Sequence, residues 1–97
     1  MNELMATLAV LRHHFPLDNV ALQVTDIGES VQGEYDYEEN SEQHVIRISN
    51  RIPPAARDEV LCHEYAHALC SNYNGPNPDA VWGIAYSGLF TLIFGDH

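Results

Sequence analysis

His63, Glu64 and His67 spell H-E-x-x-H inside the run 61–70, LCHEYAHALC. Helical residues advance about 100° each, so positions i and i+4 lie one turn apart on a single face. Two imidazoles on that face can share one cation, and zinc is the metal this spacing serves. Glu64 stands one step round the helix, close enough to reach a water on the metal without being a ligand. Zinc lowers the pKa of such a water toward about 7, and a neighbouring carboxylate can take its proton. The chemistry implied is metal-assisted hydrolysis, with His63 and His67 as ligands and Glu64 as general base. Burying three polar groups on one small helix is costly unless they have a use.

A catalytic zinc usually takes three protein ligands and leaves one position open. After His67 the chain offers Cys70, Tyr73, Asp79, Asp96 and His97. No Glu follows Glu64, which excludes a glutamate ligand from the next helix. The continuation H-x-x-G-x-x-H is also missing: Cys70 stands in place of its Gly and Tyr73 in place of its last His. Asp79 is the first choice, because the turn at 75–78, Gly-Pro-Asn-Pro, can bring it back over the motif helix. The same Asp would equally complement the dipole of a helix beginning there. Cys70, seven residues beyond His63 and so nearly on its face, is the alternative; a small core thiol is its other fate. Tyr86 or Tyr73 could steady a developing oxyanion, and Tyr86 suits the core equally well. His13 and His14 read as surface residues near a helix C-terminus.

Several elements must position these groups. Leu4, Leu8, Leu11 and Phe15 make the stripe of an amphipathic helix that Asn2 can cap and Pro16 ends. From Val20 the period changes to two, predicting strands over 20–25, 31–37 and 44–49, with a turn at 26–30 and an acidic loop at 38–42. Short links between successive strands predict an antiparallel meander. Pro53 and Pro54 open the motif helix, which should run to about residue 73 before the break at 74–78. A last helix follows, with Asn77 at its N-cap, Pro78 and Asp79 in its first turn, a buried stripe of Trp82, Ala85, Leu89 and Ile93, and Gly95 at its end. The fold class is α+β: N-terminal helix, three-stranded antiparallel sheet, motif helix, C-terminal helix.

The chain has 97 residues, enough for one domain and one modest core. An apolar fraction of 45% is ordinary for a globular protein. The formal net charge of −10 opposes binding to nucleic-acid backbones or anionic membranes, and leaves protein substrates open. Cys62 and Cys70, eight residues apart on one helix, would lie about 12 Å apart along its axis and cannot bridge. Free thiols suit a reducing compartment. The N-terminal run 4–11 reads as neither signal peptide nor membrane span, so a cytoplasmic location is expected.

Residues 61–69, LCHEYAHAL, and 78–90, PDAVWGIAYSGLF, resemble the SprT-like zinc metallopeptidases, especially their small bacterial and phage forms. The strand HVIRIS ahead of the motif suits that order, and the resemblance covers residues 31–94. It implies a single zincin-like metallopeptidase domain over 1–97, with Zn2+ as cofactor and a protein or peptide as substrate. Alignment on Trp82 puts Pro78 where that family keeps a third zinc-binding His. Then Asp79 substitutes, or water completes a two-His site, or catalysis is weak. Two functions follow: a zinc peptidase using Glu64 as base, or a catalytically weak zinc-binding interaction module on the same fold. That family's role on DNA-bound proteins goes with basic regions, which this acidic chain lacks.

Overall fold

Leu4, Leu8 and Leu11 form the buried face of α1 (Glu3–His14) in the computed structural model, which describes residues 3–95. The capping role expected of Asn2 lies outside the described residues, as do Asp96 and His97. The other elements are β1 (Val20–Thr25), β2 (Gly33–Glu38), β3 (Gln43–Ser49), α2 (Pro54–Leu69) and α3 (Pro78–Phe94). The chain is therefore α+β, and the helices and one sheet share a core. That core joins the α1 leucines to Ile46 and Ile48 of β3, to Val60, Leu61, Cys62, Tyr65 and Ala66 of α2, and to Leu89 of α3. Truncating a fully buried leucine such as Leu61 to Ala costs roughly 2–5 kcal/mol.

The sheet corrects the expected antiparallel meander. Its order is β1-β3-β2, with β1 parallel to β3 and β2 antiparallel to β3. Val20 pairs with His44 on one side of β3, and Tyr37 pairs with His44 on the other. The reason is where apolar side chains fall. Val45, Ile46, Ile48 and Ser49 are all buried, so β3 is covered on both faces and belongs in the middle. β1 and β2 have no fully buried residue and take the edges. The link over 26–32 is long enough to cross from one edge to the other.

Asn19 locks this pairing. It adopts a left-handed conformation, φ 56°, and its Nδ2 donates to the carbonyls of Ser41 and Glu42. Gln43 Nε2 donates back to Asn19 Oδ1 at 3.3 Å. One side chain thus ties the start of β1 to the turn leading into β3. At the opposite end Arg51 grips both carboxylate oxygens of Asp26, at 2.9 and 3.0 Å.

Two helix ends also differ from expectation. α2 stops at Leu69, about a turn before residue 73. The N–H of Cys70 donates to Ala66 O at 3.1 Å, and Ser71 donates to Ala68 O through both its N–H, at 3.3 Å, and its Oγ, at 2.8 Å. These bonds satisfy the final carbonyls and let the chain leave the helix. At α3, Asn77 does hold the N-cap position, but in left-handed conformation (φ 54°) and without a side-chain capping bond. Of the stripe expected on α3, Leu89 is fully buried, while Trp82, Ala85 and Ile93 are half-buried against the core. The outer face of α3 leaves Ile84, Phe90 and Phe94 exposed. Among the described residues no helix is long and apolar enough to cross a membrane.

Candidate active site

The helical spacing in α2 delivers what it promises. The rings of His63 and His67 stand with centroids 5.0 Å apart, and both touch Trp82 of α3, at 4.8 and 5.2 Å. Tyr86, one turn further along α3, stacks on Trp82 at 5.2 Å and 8°. The indole packs against both imidazoles and limits the directions they can take. Burial lowers the pKa of His67, and the charge of His63 adds to this. Both effects favour the neutral ring, the form that binds a metal.

Glu64 turns the other way, toward the sheet. Its side chain is only 8% exposed, and Oε2 lies 3.9 Å from Nε2 of His63. Burial is the main cause, with the charge of Glu34 second, that pushes its carboxyl from 4.5 up to about 7. What makes room for it is Gly33, the first residue of β2. A Cβ placed on Gly33 would sit 2.5 Å from Val60 Cγ1 and 3.2 Å from both Cγ and Oε2 of Glu64. The strand therefore approaches the helix as closely as a bare backbone allows.

Glu64 borders two recesses. The first, of about 580 Å³, runs between the 30–33 segment and α2, where Glu59, His63 and Tyr86 also face it. The second, of about 530 Å³, lies toward the start of α3 and is bordered by Tyr35, His67, Cys70, Asp79 and Trp82. A carboxyl that exchanges its proton near neutrality thus sits between two cavities, beside a pair of imidazoles.

The other expected residues are placed as follows. Asp79 and Cys70 share the second recess with His67 and Glu64. Cys70 is at the C-cap of α2 and not on its face, so the argument from helical spacing does not apply to it. Tyr86 faces the first recess, with its hydroxyl 3.5 Å from Glu59 Oε1. Tyr73 donates to Pro76 O at 2.6 Å, outside both recesses. Among the described residues no three His, Cys, Asp or Glu side chains are drawn together as a metal cage. The donors nevertheless fit zinc in kind: two adjacent imidazoles, with a carboxylate and a thiol bordering the same recess.

Three participants escaped the sequence reading. Gly33 could have been noticed, since a glycine inside a strand pattern signals close backbone approach. Glu34 could not, because its effect on Glu64 depends on how β2 packs over α2. Nor could the Tyr35 hydroxyl, which meets His44 Nδ1 at 2.7 Å across the β2–β3 pair at the edge of the second recess.

Residues 11–86 match the Peptidase M78 family, described as the IrrE N-terminal-like domain. The chain belongs to that family. The match takes in the whole of the sheet and α2, and α3 as far as Tyr86, so every group bordering the two recesses lies within it. No curated protein and no solved structure matches the chain. Peptidase M78 is zinc-peptidase-like, which agrees with the general character of the resemblance drawn from residues 61–69 and 78–90. The family named by the match is the IrrE N-terminal-like domain, not the SprT-like group. Membership is compatible with a peptidase and equally with a regulatory role.

Proposed function

We propose that this chain is a zinc-dependent peptidase of zincin-like fold, with Glu64 as its general base. The observation that carries the reading is the placement of Glu64: buried, held near neutral pKa, and set between two recesses beside His63 and His67. His63 and His67 would hold the zinc, with Asp79 as the third protein ligand. When bound, zinc supplies a Lewis acid that polarises a carbonyl and acidifies water. The work of the chain's own residues is then specific. Trp82 orients both imidazoles. Glu64 accepts a proton at its carboxylate and can return it to a leaving amine, a role suited to a group titrating near neutrality. Tyr86 is the phenol nearest His63 and would steady the oxyanion. The free edge of β2, which starts at Gly33 beside Glu64, would hold an extended peptide by strand addition.

The substrate is then a protein or peptide. Nucleic acid and membrane are disfavoured by the net charge of −10, and the free thiols suit the cytoplasm. The narrower SprT-like likeness, carried by the Trp82 helix, supports the same chemistry. A second reading is a zinc-binding or regulatory interaction module of little catalytic power. It is favoured by the separation of the third ligand candidates and by the exposed Ile84, Phe90 and Phe94.

Peptide turnover by the zinc-loaded protein, compared with Glu64→Gln, separates the two. The peptidase reading expects turnover to fall by a factor of at least about a hundred in the variant while zinc stays bound. Turnover unchanged in Glu64→Gln would remove Glu64 as base, and none in the parent would favour the module.

A further inference from the structure

The two recesses beside Glu64 carry acidic groups, one imidazole each (His63 in the first, His67 in the second) and no arginine. Glu59 borders the first and Asp79 the second, and Glu64 faces both. The chain's only cations besides histidine are four arginines, and none borders either recess. Arg47 is committed to Glu34 at 3.2 Å and to Asp36 at 3.8 Å. Arg51 is taken by Asp26 and Glu29, and Arg57 donates to Asn50 O. Arg12 belongs to α1, where its charge acts on Tyr65.

Glu59 is therefore an acid on the wall of a cavity that no arginine borders. Its described polar partner is the Tyr86 hydroxyl at 3.5 Å, a neutral donor that leaves the carboxylate's charge intact. The floor of the same cavity is Glu64, whose side chain is more than nine-tenths buried yet faces the open space. At Gly33 itself the strand side of the recess carries no side chain. At about 580 Å³ the cavity has room for a large side chain, is negative at the Glu59 wall, and is apolar at Val31, Ala56 and Val60. An aliphatic stem ending in a positive charge matches all three properties.

Resting on the peptidase reading, we propose that the substrate is a cationic peptide, with an arginine or lysine side chain occupying the Glu59 recess next to the scissile bond. Glu59 is then the residue that determines specificity. The field of the acidic chain would speed encounter with such a peptide, while Glu59 would select it once bound.

The test uses the zinc-loaded full chain and two fluorescein-labelled peptides, one with spaced arginines and one with glutamines in their place. Cleavage is measured by mass spectrometry and kcat/KM, and binding by anisotropy on Glu64→Gln. Each is repeated in Glu59→Gln and in Glu39→Gln, a change in the exposed β2–β3 turn that controls for overall charge. The expected result is a preference of roughly tenfold for the arginine peptide, the size of one charge-assisted hydrogen bond. It should be lost in Glu59→Gln and kept in Glu39→Gln, with cuts adjacent to arginine. Equal use of both peptides, or a preference surviving in Glu59→Gln, overturns the proposal. Cleavage without charge preference refutes the cationic substrate and leaves the peptidase. Glu59-dependent binding of the arginine peptide without turnover refutes the peptidase and upholds the recess.

Discussion

Replacing Glu64 with Gln in the metal-free protein should stabilise it at alkaline pH and change little in acid. The carboxyl titrates near 4.5 when exposed and at about 7 in the fold, where burial and Glu34 disfavour its charge. Between those values the folded protein binds the proton that the unfolded chain has released, so stability falls as pH rises from about 4.5 to about 7. The interval is about 2.5 pH units, and at about 1.36 kcal/mol per unit the full penalty is about 3 kcal/mol. It is complete above pH 7 and absent near pH 4. Gln carries no charge and avoids it. Urea unfolding of both proteins with a chelator, at pH 4 and pH 8, should show a difference near zero at the first and about 3 kcal/mol at the second. For a chain of this size that is roughly 10–20 °C in Tm. Zinc should shrink the alkaline difference, since a cation beside the carboxylate favours its charged form. A difference independent of pH would show that Glu64 ionises freely in the fold, and the argument from its burial would fall.

Other positions give separate checks. Gly33→Ala should cost roughly 1–3 kcal/mol, because the new methyl meets the stiff Val60 side chain and Glu64; a variant as stable as the parent by urea unfolding would deny the close approach. Tyr65→Phe removes the 2.6 Å hydrogen bond from the buried hydroxyl to Phe15 O that ties α2 to the end of α1. It should cost about 1–2 kcal/mol in the same assay. Cys62 is fully buried and its thiol is pushed up to about 12. A thiol reagent at pH 8 should therefore spare it in the native protein, label the partly exposed Cys70, and reach Cys62 only on unfolding. Rapid native labelling of Cys62 would contradict its place in the core.

The parts of this fold that rest on local periodicity were legible from the residues. Leu4, Leu8 and Leu11 fixed α1, and the i, i+4 spacing of His63 and His67 fixed the pair of rings. Strand order was not legible, because the alternation in 20–25 and 31–37 says which faces are apolar and nothing about which strand lies between the others. The double-sided burial of β3 decided that, together with the Asn19 bridge, whose partners are more than twenty residues away. The end of α2 was misjudged because the lack of Gly or Pro from 70 to 73 hid a stop made by Ser71 and the Cys70 amide. At the site, residue types named His63, Glu64 and His67. The environment that shifts Glu64 comes from β2, and the recesses come from packing α3 across α2. No local pattern encodes either.

The central claim is that His63 and His67 form a metal site that Glu64 serves. Zinc binding measured by calorimetry at neutral pH on the parent, His67→Ala and Asp79→Ala tests it most directly. The account predicts one equivalent bound by the parent, loss of binding in His67→Ala, and weakened binding in Asp79→Ala. No zinc bound by the parent, or equal binding by His67→Ala, would contradict it.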